Sequence, residues 1–139
     1  SMLVIEGYVD ALKWGASIGG LKEMMRRADA NLHAMSQWVA RADWVEFLCA
    51  DKAARSNTSV CLKIVDPAIA ALSDADQRAF VKQMESLLGK EEAAYDIGGY
   101  RDAPPGLRIW CGATVECADI EALCPWLDWA FAEAKKSLN

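Results

Sequence analysis

The stretch that decides the fold is 98–111, which reads Gly-Gly-Tyr-Arg-Asp-Ala-Pro-Pro-Gly-Leu-Arg-Ile-Trp-Cys. A loop rich in glycine and proline is followed by a run in which side-chain character alternates. Successive side chains of a β-strand point to opposite faces, so the alternation predicts a strand over 107–111. Arg108 and Trp110 then share one face. The other face carries Leu107, Ile109 and Cys111.

Outward from this stretch, other segments also predict strands. The segment 58–65 is rich in β-branched residues and is stopped by Asp66-Pro67. The segment 44–48 predicts a shorter strand, and 94–97 predicts a further one.

Four segments have the apolar spacing of amphipathic helices. They are 6–17, 21–41, 74–88 and 118–137. Gly19-Gly20 separates the first two. Ser73 is expected to cap the third, and Gly89 to end it as a left-handed C-cap. Pro125 is expected to kink the last helix or to start a new segment.

The two leading helices each carry an apolar stripe at helical spacing. The first stripe is Tyr8, Leu12 and Ala16. The second is Leu21, Met25, Ala28, Leu32, Met35 and Val39. With helices placed between paired strands, the element order predicts an α/β (α+β) two-layer sandwich. Its sheet is expected to be small and mostly antiparallel, with helices on one face.

Composition narrows the class of protein. The chain has 139 residues, of which 53% are hydrophobic and 25% charged, which suits one domain with its own core. The net charge of −5 disfavours nucleic acid as a partner, and no apolar run is long enough to span a membrane. The five cysteines form no CxxC pair, so they predict reduced thiols in a cytoplasmic protein rather than a metal site or a disulfide framework.

The segment 98–108 is the candidate ligand site. Arg101 lies on the loop and Arg108 on the strand, and arginine presents a planar fork that binds carboxylate or phosphate through two hydrogen bonds. Tyr100 adds a hydroxyl. A polar run at 55–59 is better explained as a strand-initiating loop than as an anion-binding turn. Neither a glycine-rich phosphate loop nor a lysine marked for Schiff-base chemistry is evident, so no catalytic residue is assigned.

Several strings resemble those of phosphoserine aminotransferases. Gly99-Tyr100-Arg101 followed by Gly106-Leu107-Arg108-Ile109 resembles the family's C-terminal motifs, Gly-His-Arg and then Gly-Met-Arg with a strand. The double glycine within 17–21 resembles the family's break between two helices. The strings 55–62, 107–116 and 125–131 resemble the α-proteobacterial version. Tyr100 stands where many relatives have histidine, and the spacing from Arg101 to Arg108 is one residue longer than in the commoner bacterial pattern.

The resemblance implies the C-terminal small domain, 1–139, of a fold-type I enzyme that uses pyridoxal phosphate (PLP). Residues 1–41 would be leading helices and 42–139 the α/β core, while an absent large domain would hold the cofactor. The intact enzyme, a cytoplasmic homodimer, would move an amino group between glutamate and 3-phosphohydroxypyruvate in serine biosynthesis. Arg108 would bind the substrate α-carboxylate, Arg101 the phosphate, and Tyr100 would donate a hydrogen bond.

Two other functions are open at this stage. The chain could be the small domain of another fold-type I aminotransferase, with the carboxylate arginine but without the phosphate contact. It could also be a free-standing amino-acid-binding module. The enzyme-domain interpretation further predicts that the fragment alone is inactive and that it exposes an apolar face where the large domain docks.

Overall fold

A computed structural model describes residues 1–138, which contain both helices and strands. The helices are α1 (Met2–Ser17), α2 (Gly20–Val39), α3 (Pro67–Ala70), α4 (Asp74–Lys90) and α5 (Cys117–Lys136). The strands are β1 (Val45–Phe47), β2 (Ser59–Ile64) and β3 (Leu107–Trp110), and a short 3₁₀ turn covers Lys52–Ala54. The predicted boundaries of most elements are within a few residues of these.

The strands form an antiparallel sheet in the order β1-β2-β3. Val45 pairs with Ile64, and Cys61 pairs with Arg108. One face of the sheet packs with α2, α4 and α5 in a single hydrophobic core. The most deeply buried members of that core include Met35, Leu62, Met84, Leu88, Leu107 and Leu127. The predicted α+β class, with helices on one face of an antiparallel sheet, is confirmed.

The opposite face of the sheet is largely open. It carries Glu46, Lys63, Arg108 and Trp110, of which Trp110 is 55% exposed. The predicted alternation in β3 is confirmed, because Leu107 and Ile109 are buried while Trp110 is not. Arg108 lies on this face too, but its side chain is only 21% exposed.

Two sequence predictions about helix ends need correction. Helix α4 does not end at Gly89. It runs to Lys90, and the left-handed residue is Glu92, with φ of 55°. The amide of Ala93 donates to the carbonyl of Leu88, which is the Schellman geometry built on Glu92. Helix α5 continues through Pro125, so no new segment begins there.

The predicted strand over 94–97 is also wrong. Asp96 has a left-handed φ of 53°, which interrupts the extended backbone that a strand needs. Gly98 alone of this region forms a bridge, to Leu107. The carbonyl of Ile97 still accepts a hydrogen bond from the amide of Arg108 at 2.8 Å, so the segment follows β3 without being a strand.

The leading helices separate at Gly19 and Gly20, whose φ values of 118° and 72° favour glycine. The predicted stripe of α2 is only partly buried. Leu21 and Met25 are exposed, and the buried residues are Ala28, Asn31, Ala34, Met35 and Trp38. Apolar side chains are exposed along both helices; they are Met2, Leu3, Val4, Ile5, Tyr8, Leu12, Leu21 and Met25. The docking face for a large domain stays a prediction. Among residues 1–138, no helix has the length and hydropathy needed to cross a membrane.

Helix α2 is tied to the loop that follows β3. The buried amide of Asn31 donates to the carbonyls of Cys111 and Val115, each at 3.0 Å. Nε of Arg27 donates to the carbonyl of Ala113 at 2.7 Å. These bonds fix the helix against the loop at the end of the strand that carries Arg108.

Candidate functional site

Arg108 is held in the middle of the site by backbone bonds on both sides of β3. Its Cα pairs with Cys61 of β2, and its amide donates to the Ile97 carbonyl. Strand geometry turns its side chain away from the core that Leu107 and Ile109 enter. Because the backbone is hydrogen-bonded on both sides of this position, the direction in which the Arg108 side chain leaves the strand is well defined.

One edge of the Arg108 guanidinium, formed by Nε and Nη2, is only partly hydrogen-bonded. Its Nη2 donates to Oδ2 of Asp96 at 2.9 Å. Its Nε is buried and has no hydrogen-bond partner within residues 1–138. An unpaired buried donor is unfavourable, so Nε has hydrogen-bonding capacity that the bond to Asp96 leaves unused.

The ring of Tyr100 supports the same group. The Arg108 guanidinium carbon lies 4.7 Å from the ring centroid, a cation–π distance. The Tyr100 hydroxyl lies 3.4 Å from Oγ of Ser59 and is otherwise exposed. The loop is closed by the Gly99 amide, which donates to the Gly106 carbonyl at 3.0 Å. Sequence reasoning placed Tyr100 and Arg108 in one site, and the structure brings them together.

A cavity of about 400 Å³ lies beside Arg108. Its polar lining comes from Arg108, Asp96 and Asp119, and its apolar lining includes Trp110 and Leu123. A small concave site with few polar groups is typical of ligand pockets. The cavity is therefore large enough for a small molecule, and its charged lining is one arginine and two aspartates.

Arg101 lies elsewhere. Its side chain is 91% exposed and pairs with the adjacent Asp102 at 3.2 Å. It lines a second cavity, of about 400 Å³, together with Arg78 and Lys82 of α4. The structure thus places the two predicted arginines in separate cavities.

Sequence reasoning missed Asp96, Arg78 and Lys82. Asp96 gives one weak signal, since aspartate tolerates left-handed backbone better than most residues. The two α4 residues are four apart, so they share a helix face, but nothing in the sequence places that face beside the loop.

The polar run at 55–59 has the contacts of a strand-initiating loop, as predicted. Oγ of Ser56 accepts from the amides of Thr58 and Ser59 at 3.2 and 3.1 Å. Arg55 donates to the Cys49 carbonyl and lies over the Phe47 ring, 3.6 Å from its centroid. These bonds occupy the groups that an anion would need.

The cysteines differ in burial. Cys111 and Cys124 are buried, and burial raises the pKa of their thiols to about 12 and about 11. Thiols with raised pKa values are poor nucleophiles and poor metal ligands. The other three are half-buried, all five are free thiols, and no cluster of three or more metal-ligating side chains occurs in residues 1–138.

Comparison with known proteins finds relatives that this chain matches over part of their length. No protein-family model matches it. Over 131 residues it is 47% identical to the phosphoserine aminotransferase of Methanosarcina barkeri and 46% identical to that of Methanosarcina mazei. The chain is homologous to one third of phosphoserine aminotransferase. The alignments cover 94% of this chain but only 33% of either relative. The resemblance to the α-proteobacterial version of the enzyme stays a prediction.

Solved structures of phosphoserine aminotransferase have the same fold. One, a study of radiation damage to the Schiff base, has a TM-score of 0.64 at 15% identity. Another, from Bacillus circulans subsp. alkalophilus, has a TM-score of 0.63 at 18% identity. Each match covers 87% of this chain and 30% of the solved chain. At such identities the likeness establishes the fold alone.

Proposed function

We propose that this chain is the substrate-binding small domain of a PLP-dependent phosphoserine aminotransferase. The complete enzyme would transfer the amino group between glutamate and 3-phosphohydroxypyruvate in serine biosynthesis, as a cytoplasmic homodimer. Residues 1–41 would lead from the large domain and 42–139 would form the small-domain core. The observation that carries the proposal is the buried, unpartnered Nε of Arg108 at the wall of a cavity of about 400 Å³.

Arg108 would bind the α-carboxylate of the substrate. Nε and Nη2 form one edge of the guanidinium, and two parallel N–H donors match the two oxygens of a carboxylate. The Tyr100 ring lies against the guanidinium and restricts its orientation. Holding the carboxylate in a fixed direction would orient the amino group for reaction, which is a positioning effect.

Arg101 would bind the phosphate, assisted by the Tyr100 hydroxyl. Its cavity also contains Arg78 and Lys82, so a phosphate there would meet three cationic side chains. Glu85 lines the same cavity, but its carboxylate accepts from the Gly98 amide at 3.0 Å. The three positive groups therefore outnumber the two carboxylates beside them, Glu85 and the Asp102 that pairs with Arg101.

We infer that residues 1–138 do not hold the cofactor, because no lysine among them is buried without an acidic partner. Two of these lysines, Lys63 and Lys135, are half-buried, and both are in ion pairs with carboxylates; the others in residues 1–138 are exposed. We propose that PLP is held by the large domain, which would dock on the exposed apolar face of α1 and α2. The isolated domain would accordingly be inactive.

The test of the carboxylate role is Arg108→Ala in the full-length enzyme. Loss of a buried charge partner should reduce transition-state stabilisation for phosphoserine by about 2–5 kcal/mol, measured from kcat/KM. Arg26→Ala is the matched control, because Arg26 forms an exposed ion pair with Glu23 on α2. Unchanged kinetics in Arg108→Ala would show that the assignment is wrong.

The test of the phosphate role is Arg101→Ala. It should impair phosphoserine while sparing alanine, because only phosphoserine carries the group that Arg101 would bind. Equal loss on both substrates would favour a different fold-type I aminotransferase, whose small domain lacks the phosphate contact.

A further inference from the structure

We propose that Asp96 is a built-in competitor of the substrate carboxylate, occupying half of the Arg108 edge until substrate displaces it. This inference rests on the proposed function of Arg108 as the carboxylate-binding residue. Asp96 would then set substrate affinity without contacting substrate. The observation behind it is that one carboxylate oxygen is bound to Nη2 of Arg108 while the neighbouring Nε has no partner within residues 1–138.

Another arginine of this chain has both donors of one guanidinium edge hydrogen-bonded to a carboxylate. Arg26 donates to Glu23 from both Nε and Nη2, at 2.8 and 2.5 Å, in a bidentate pair. Arg108 donates to Asp96 from Nη2 alone. A free carboxylate is not constrained by the backbone of Asp96, so it can approach the edge squarely and satisfy both donors. The bound substrate would therefore gain one more charge-assisted hydrogen bond than Asp96 does.

Asp96 is also easy to displace. Its side chain is 86% exposed, so water solvates the carboxylate once it leaves Arg108. Ion pairs of such exposed carboxylates are weak. Asp96 lies on irregular backbone, and its φ of 53° is a conformation that aspartate tolerates. Its position places the carboxylate at Arg108 without anchoring it there.

Competition of this kind has a defined kinetic consequence. A fraction of the enzyme has Arg108 occupied by Asp96, and the apparent affinity for a carboxylate falls by that fraction. The step after binding is unaffected, because Asp96 has already left. Removing its charge should lower KM about two- to fivefold, the range for an exposed ion pair, and should leave kcat unchanged.

The test uses the full-length enzyme with Asp96→Asn. Calorimetric titration with glutarate, a dicarboxylate that lacks an amino group, measures binding without reaction. We expect Asp96→Asn to bind glutarate about two- to fivefold more tightly and to show a matching fall in KM for phosphoserine. Glu46→Gln is the control, since Glu46 is an exposed carboxylate paired with Lys63 on the same face of the sheet. It removes the same charge away from Arg108 and should change neither quantity.

A double variant separates the inference from the function on which it rests. In Arg108→Ala the further change Asp96→Asn should have no effect on glutarate binding. If Arg108→Ala weakens binding but Asp96→Asn weakens it too or leaves it unchanged, Asp96 does not compete with the substrate carboxylate, and the inference is overturned. If Arg108→Ala leaves binding and kinetics intact, the proposed function fails as well.

Discussion

Replacing Gly106 with alanine would force the new methyl group into the backbone of β2. A Cβ built at Gly106 lies far inside 3.0 Å of the Leu62 carbonyl oxygen, a separation that real Cβ atoms essentially never show. It would also lie 3.2 Å from the Leu62 carbonyl carbon and 3.4 Å from Cα of Lys63. All three neighbours are backbone atoms, so no side chain can rotate out of the way.

The cost follows from what must move. The strands would have to separate by about 1 Å next to the Leu62–Leu107 pair, which strains the β2–β3 hydrogen bonds. Overpacking of this kind costs about 1–3 kcal/mol when side chains can adjust. With backbone on both sides we expect about 3 kcal/mol, a large share of the stability of a domain this size. The melting temperature should fall by about 10 °C.

Gly89→Ala is the matched control, because it is the same chemical change with the opposite expected sign. A Cβ at Gly89 would make ordinary contacts of 3.8 and 3.9 Å with the Tyr95 ring, and the residue lies inside α4. Alanine in a helix interior is favoured over glycine by about 0.5–1 kcal/mol. Urea unfolding of both variants, followed by circular dichroism, measures the two free energies. Equal unfolding midpoints for Gly106→Ala and the unaltered chain would refute the close-approach argument.

Three further predictions concern stability and reactivity. Asp128→Ala should lose about 2 kcal/mol of unfolding free energy, because Asp128 accepts hydrogen bonds from the indoles of Trp38 and Trp44 at 3.0 and 2.8 Å. Asp128→Asn keeps one acceptor and should lose less; denaturant titration measures both losses. The Lys135 ammonium holds the pKa of the Asp66 carboxyl below its usual range, so this contribution is present above the ordinary aspartate pKa near 4 and is lost as pH falls through the lowered value. The stability advantage over Asp66→Asn should therefore shrink as the pH is lowered below about 4 in acid titrations, and an advantage that did not change with pH there would contradict it. At pH 8 a maleimide should label Cys111 and Cys124 only after unfolding, since their raised pKa values keep both as thiols; mass spectrometry showing equal native labelling of all five cysteines would exclude this.

Local sequence patterns are enough to predict most of the fold. The alternation in β3 depends on neighbours two residues apart, and the Ser73 cap, whose Oγ accepts from the Asp76 amide at 3.2 Å, depends on neighbours three apart. Such signals need no knowledge of the rest of the chain. The same alternation is enough to predict that Arg108 lies on the face of the sheet opposite Leu107 and Ile109.

The features that the sequence did not predict depend on tertiary contacts. Periodicity shows that Leu21 and Met25 are apolar and aligned, but not that α2 buries a neighbouring face instead. Asp96 meets Arg108 because an irregular, left-handed turn brings together residues twelve apart, and no period predicts such a path. The separation of Arg101 from Arg108 likewise follows from the course of the loop.

The bonds from Asn31 and Arg27 to the loop after β3 make α2 a lever for the whole sheet. Helix α2 has 20 residues and so is about 30 Å long, and at its start lie the two glycines that separate it from α1. Arg27 and Asn31 lie about 11 and 17 Å along the helix from its start, so a rotation of about 10° at those glycines would carry them through about 2–3 Å. Because these two residues are bonded to the loop after β3, the strand that carries Arg108 would move with α2 by a similar distance.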